Sequence, residues 1–233
     1  MDEVKDSVKC EIMIRAPLNK VWDALTKPEY LKRWYAKQAD VDFQIGGKGY
    51  IEHGWGVVSS GIYTEISEGK KFVLESEDGS FKTITILKQE NEGVRVSIEY
   101  KITFLGEEGE AVKENMLYGT YQFLKNLKSV YEMDNDLRSE MWKGWIGAVH
   151  TTSNGETQGS KVLKVGAKGP ADRASIQSGD VITALDGEAI SGYEDLENAV
   201  NKNGAGSIVQ LKVIRDGKYL DIACEISEYP VAY

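Results

Sequence analysis

Histidine and cysteine are scarce in this 233-residue chain, two of each, and that scarcity removes several chemistries at once. Cys10 and Cys224 lie in regions of different pattern, so they read as two separate buried thiols and not as a disulfide. The chain has no CxxC and no His/Cys cluster, so neither a metal site nor a cofactor is expected. His53 and His150 are the whole supply of side chains that ordinarily titrate near neutrality. The sequence also lacks a GxSxG element, a P-loop and a GxGxxG following a strand, which leaves nucleophile-elbow hydrolysis and nucleotide chemistry without a foothold. No cluster of Lys or Arg offsets the net charge of −9, which argues against nucleic acid or an anionic membrane as partner. No apolar run approaches the roughly 18–20 residues of a membrane span. The segment Met1-Asp2-Glu3-Val4-Lys5-Asp6 lacks the basic and then apolar order of a signal peptide, so cytoplasmic residence is the expectation.

What is present falls into two rhythms, with the division expected at 138/139: residues 1–138 and residues 139–233. The first opens with an alternating strand over Val8–Ile14, then Ala16-Pro17 leads into a helix carrying Val21, Trp22 and Leu25. Thr26-Lys27-Pro28-Glu29 has capping-box spacing and predicts a second short helix through Trp34. Residues 41–104 then read as strand after strand, broken at Gly46-Gly47, Gly54, Asp78-Gly79 and Glu92-Gly93, the spacing of a meandering antiparallel sheet. A helix from about Ala111 to Val130 follows, with Val112, Met116, Phe123, Leu127 and Val130 at helical spacing. The acidic Gly106-Glu107-Glu108-Gly109-Glu110 reads as a solvated turn before it.

In the second part, Gly144 and Gly147 allow a loop to turn backbone N–H groups toward one point. Val162–Val165 and Asp180–Leu185 read as strands, Pro170–Ser175 as a helical turn, and Ser191-Gly192-Tyr193-Glu194 as a capping box opening a helix to about Val200. Ile208–Ile214 and Tyr219–Ile226 form a hairpin about Asp216-Gly217. His150 is expected as an exposed edge residue.

Two resemblances rest on these residues. Trp142-Lys143-Gly144-Trp145-Ile146-Gly147, Gly169-Pro170-Ala171, Gln177-Ser178-Gly179-Asp180-Val181-Ile182 and Arg215-Asp216-Gly217-Lys218 look like the PDZ domain attached to HtrA-type proteases, with nothing resembling the protease before it. Ala16-Pro17, Val21–Glu29, Arg33-Trp34, Gly46-Gly47, Gly61–Ile66 and Gly119 with Leu124 and Leu127 resemble the SRPBCC (START-like, helix-grip) superfamily, in its branch related to the activator of the heat-shock ATPase. Thr120 departs from it, standing where members often carry Trp. Together they imply an α+β chain: an antiparallel sheet wrapped on a long C-terminal helix, followed by a small PDZ β-barrel-like domain with two helices.

The PDZ resemblance implies a partner bound through a protein or peptide C-terminus. The amides of Trp145, Ile146 and Gly147 would hold its carboxylate, and Ile146, Leu196 and Val200 would line the slot for its last side chain. The helix-grip resemblance implies a pocket for a hydrophobic small molecule or client, for which Trp34, His53, Trp55, Tyr63, Met116, Thr120 and Phe123 are candidate lining residues. The apolar tail Val231–Tyr233 is a candidate for self-association through the same kind of groove. Two functions stay open: a noncatalytic adaptor, or an enzyme using His53 with Glu52, Glu65 or Glu99 as an acid–base pair on a small hydrophobic substrate. Alternation places Glu52 and His53 on opposite faces of a strand.

Overall fold

The computed structural model describes residues 7–102 and 105–231, so Ala232 and Tyr233 of the apolar tail lie outside the described residues. The described residues divide into two compact units, one of residues 7–102, 116–139 and 231, the other of residues 105–115 and 140–230. Each has its own sheet.

The first unit contains β1 (Ser7–Ile14), α1 (Leu18–Thr26), α2 (Pro28–Trp34), β2 (Gln38–Val41), β3 (Lys48–Gly54), β4 (Val57–Ser67), β5 (Lys71–Glu75), β6 (Lys82–Glu90) and β7 (Gly93–Lys101). From residue 116 it also contains the greater part of α3 (Gly106–Met133). The seven strands form an antiparallel sheet in the order β1-β7-β6-β5-β4-β3-β2. Register follows the alternation in the sequence: Val8, Cys10 and Ile14 of β1 stand opposite Tyr100, Ile98 and Val94 of β7, and all six are buried. Helix α3 lies against this face. Its Leu124 and Leu127 are fully buried, Thr120 Oγ1 meets the Tyr100 hydroxyl at 2.7 Å, and Lys128 Nζ donates to the Met13 carbonyl at 2.9 Å. Each such Leu contributes roughly 1.5–3 kcal/mol of burial.

Two details differ from the sequence reading. Thr26 is not a helix cap: its hydroxyl donates back to the Trp22 carbonyl at 2.8 Å, and α2 starts from Lys27 with Pro28 in its first turn. With a single residue between α1 and α2 there is no free position for a capping side chain. Gly106–Glu110 is the opening of α3 and not a turn, which suits the favourable placement of acidic side chains in a first helical turn.

After a 3-10 turn at Arg138–Glu140, the second unit contains β8 (Ala148–Thr152), β9 (Ser160–Val165), α4 (Pro170–Arg173), β10 (Val181–Leu185), β11 (Glu188–Ala189), α5 (Tyr193–Asn203), β12 (Ile208–Arg215) and β13 (Lys218–Glu225). Its sheet runs β13-β12-β10-β9-β8, with β11 beside β10, so β8 is an edge strand. Asp216 and Gly217 both take positive φ, 49° and 74°, as the two-residue hairpin between β12 and β13 requires. The core collects Ile146, Val162, Ile182, Leu185, Leu196, Val200, Val209, Leu211, Val213 and Ile226. Helix α5 is not opened by a capping box. Its first N–H, on Tyr193, donates to Thr152 Oγ1 at 3.0 Å, and the Ser191 N–H donates to Asp195 Oδ2 at 2.9 Å. No helix among the described residues is long and apolar enough to cross a membrane.

Candidate functional site

In the second unit a groove of about 300 Å³ lies between edge strand β8 and helix α5. One wall is Ala148, Val149 and His150, the other Tyr193, Glu197 and Val200. Gly144, Trp145 and Ile146 close one end, Trp142 and Tyr229 line it further, and Ala111, Val112 and Asn115 of the 105–115 segment complete it.

The loop before β8 has its shape because of two glycines. At Gly147, φ is +82°, and a Cβ would stand 2.7 Å from Pro170 Cδ. At Gly144, a Cβ would stand 2.5 Å from Ile226 Cγ2 and 2.9 Å from the Val200 carbonyl oxygen. The loop is therefore pressed against α4 at one glycine and against the end of α5 at the other. The Ile146 carbonyl accepts from the Ala171 N–H at 2.9 Å, and the Gly147 carbonyl from the Gly166 N–H at 2.8 Å.

The five residues expected to hold a peptide are not all placed as expected. Ile146 and Val200 line the groove and are also core residues. Gly147 shapes the loop without lining the groove. Trp145 lines the groove, but its amide is already spent: the Trp145 N–H donates to the Ser227 carbonyl at 2.8 Å in an antiparallel bridge. Leu196 is fully buried in the core and does not line the groove, because the face of α5 that it shares with Val200 is turned mostly inward. The neighbouring Glu197 lines the groove instead.

His150 is the larger correction. It is buried, at 3% exposure, with Nδ1 2.7 Å from Ser160 Oγ, Nε2 2.9 Å from Glu197 Oε1, and its ring stacked on Tyr193 at 4.6 Å. The Ser160 hydroxyl also donates to the Thr151 carbonyl at 3.4 Å, so one side chain of β9 holds both the ring and the backbone of β8. This Ser–His–Glu chain has the members of a nucleophilic triad, yet Ser160 is wholly buried, so no substrate reaches its oxygen. The chain instead ties β9, β8 and α5 together and fixes the carboxylate of Glu197 at the groove wall.

In the first unit the candidates separate into clusters. Trp34, at 1% exposure, donates Nε1–H to the Ala24 carbonyl at 2.9 Å and stacks on Tyr35 at 4.6 Å. His53 packs against Tyr35 at 4.1 Å and Phe123 at 5.7 Å, and Trp55 against Phe123 at 6.2 Å. Tyr63, also buried, belongs to a second aromatic group with Phe43 and Phe72. Thr120 is half-buried and bonded to Tyr100; Met116 is half-buried on α3.

His53 is positioned by a bulge: β3 pairs Glu52 with Val58 and Gly54 with Val57, and the extra residue between them carries the imidazole inward. Its Nε2 lies 2.8 Å from Ser59 Oγ. Burial lowers its pKa to about 4. The Tyr35 backbone acts in the opposite sense, yet no atom reaches Nδ1 in hydrogen-bonding geometry. Burial likewise raises the phenols of Tyr63 and Tyr100 to about 12 and pushes Tyr35 upward, so all three stay protonated.

Asn126 was not among the sequence candidates. Fully buried, it donates Nδ2–H to the Trp34 carbonyl at 2.6 Å and accepts from the Leu137 N–H at 2.6 Å, joining the end of α2 to the segment after α3.

Comparison with known proteins finds two family models in succession along the chain. Residues 15–132, just over half of the chain, match the model of the Activator of Hsp90 ATPase homolog 1-like protein family, and residues 136–226 match that of the PDZ domain. A probable periplasmic serine endoprotease DegP-like from Hahella chejuensis is 31% identical over 97 residues, 38% of this chain and 21% of the relative. A probable periplasmic serine protease do/HhoA-like from Haemophilus influenzae is 35% identical over 69 residues, 30% of this chain and 15% of the relative. The chain thus spans about a fifth or less of the length of these curated relatives. The solution structure of the Aha1 dimer from Colwellia psychrerythraea is 16% identical, with a TM-score of 0.49, covering 55% of this chain and 97% of that one. The chain belongs to the Activator of Hsp90 ATPase homolog 1-like family and carries a PDZ domain after that region.

Proposed function

We propose that this chain is a noncatalytic adaptor whose second unit captures the C-terminus of a partner protein or peptide, while its first holds a hydrophobic small molecule or client segment. The observation that carries the reading is the groove between edge strand β8 and helix α5, in a unit matched to the PDZ domain. An extended peptide adds to β8 as one more antiparallel strand. With the Trp145 amide taken by Ser227, the amide of Ile146 receives the carboxylate, with that of Gly147 next to it in the loop, and Ile146 and Val200 receive the last side chain. Burying that side chain is worth roughly 1.5–3 kcal/mol. A millimolar Kd already needs about 4.1 kcal/mol, so main-chain pairing along β8 supplies the remainder.

In the first unit the surroundings of His53, Trp55, Phe123 and Thr120 combine aromatic surface with few polar tips, which suits a ligand of the same character. The enzyme alternative has His53 for its support. That imidazole contacts Ser59, Tyr35 and Phe123, and with a pKa of about 4 it is a weak base, which favours the adaptor. We place the division of labour at 138/139. We propose cytoplasmic residence, consistent with Cys10 and Cys224 both being free buried thiols, although the protease relatives are described as periplasmic. Self-association through the tail remains a proposal of the same kind.

Fluorescence anisotropy with labelled peptides that end in Leu, Val, Ala or Phe tests the adaptor reading. Peptides with a free carboxylate should bind and their amidated forms should not; equal binding of both would contradict it. Native mass spectrometry followed by denaturation should release an apolar small molecule or client peptide from the first unit.

A further inference from the structure

The groove of the second unit is covered along its outer side by residues of that same unit. In an antiparallel sheet every second residue of an edge strand turns its N–H and C=O outward. At the far end of β8 the outward N–H belongs to Thr152, and it donates to Glu114 Oε2 at 2.9 Å. The same carboxylate oxygen accepts from Thr151 Oγ1 at 2.6 Å. Glu114 therefore stands where the carbonyl of an added strand would stand. The next residue, Asn115, donates Nδ2–H to the Tyr193 hydroxyl of α5 at 2.9 Å. Two consecutive side chains thus grip both walls, β8 and α5, while Ala111 and Val112 lay apolar surface along the groove between them. Lys161 on β9, half-buried, adds an ion pair at 2.7 Å to the exposed Glu107.

We infer that residues 105–115 act as a built-in competitor for the peptide, occupying the outer end of the groove until a ligand displaces Glu114 and Asn115. The inference rests on the peptide-binding reading above. Peptide and β8 rise by the same amount per residue, about 3.3 Å, so a peptide whose last residue lies beside Ile146 reaches His150 with its fifth residue from the end and Thr152 only with its seventh. Short C-termini then pass under the cover, and longer ones must open it. The apparent affinity of a longer peptide is reduced by the fraction of molecules in which the cover is open.

The test is anisotropy on the full chain with labelled eight-residue peptides carrying a free carboxylate and Leu, Val or Ala last. These are compared with unlabelled three-residue peptides of the same endings, used as competitors. Glu114→Ala with Asn115→Ala should bind the eight-residue peptides about tenfold more tightly than the wild type, as expected for removing two or three partly buried hydrogen bonds. The three-residue competitors should be unaffected. Glu114→Gln, which keeps an acceptor oxygen, should fall between, and Glu108→Ala on the same segment should change nothing. Asn115→Ala alone puts the question again if the double variant does not fold. Equal or weaker binding of the long peptides by the variants would overturn the inference while leaving the peptide site intact. Absence of binding to every form, wild type included, would remove the peptide site and the inference with it.

Discussion

Lowering the pH from 7 to 5 should cost the first unit about 2 kcal/mol of stability through His53 alone. The folded state holds that imidazole near pKa 4 against about 6.5 when it is exposed. Between these values the unfolded chain binds a proton that the folded chain does not, so stability falls as pH falls. The loss begins near 6.5 and is complete below 4, where it reaches about 3 kcal/mol, the full difference between the two pKa values. The cause is burial, which outweighs the opposing effect of the Tyr35 backbone: the ring meets Ser59 Oγ and is enclosed by Tyr35 and Phe123. His53→Phe removes the titration while keeping a planar ring beside those two aromatics. Urea unfolding, followed through the methyl signals of Leu124 and Leu127, should show the wild type losing about 2 kcal/mol more than His53→Phe between pH 7 and 5. The chain has only two histidines, so the imidazole proton signals that vanish in His53→Phe are those of His53, and their shift with pH in the wild type reads its pKa. A His53 imidazole titrating at 6.5 or above, or equal losses in the two proteins, would refute the reasoning.

Gly147→Ala should destabilise the second unit by about 2–4 kcal/mol, combining a disfavoured positive φ with overpacking against Pro170; chemical denaturation reads it, and a loss under about 1 kcal/mol would be too small for the loop described. Asp180→Ala should cost about 3 kcal/mol, because the wholly buried carboxylate receives two bonds from Arg215, at 2.6 and 2.7 Å, and one from the Gln177 N–H. A thermal scan that finds the variant as stable as the wild type would place the pair's worth elsewhere.

The regular parts of both units were legible because alternation and helical spacing are written residue by residue, as in β1 with its buried Val8, Cys10 and Ile14. Helix starts were less legible. Thr26 and Ser191 have the spacing of caps, but whether a hydroxyl caps a helix depends on free room before the first turn, and α1 leaves none before α2. Glycines and acidic residues made 106–110 look like a turn, although the same acids suit the first turn of a helix. Of the groove, Ile146 and Val200 could be read from motif spacing. Glu197 could have been found by asking which neighbour of Leu196 faces away from the core. Glu114, Asn115 and Tyr229 carry no local signal, because they reach the groove from segments far from the glycine loop in sequence. His150 was misread because an edge strand suggests exposure, while α5 and its stacked Tyr193 cover the ring.

The most direct test of the adaptor account is backbone amide NMR of the full chain, titrated with a peptide that has a free, apolar C-terminal residue. The account predicts shifts concentrated at residues 146–152 and 193–200, with the Ile146 and Gly147 amides moving furthest and an amidated peptide leaving the spectrum unchanged. Shifts lying elsewhere, or the same shifts with the amidated peptide, would contradict it.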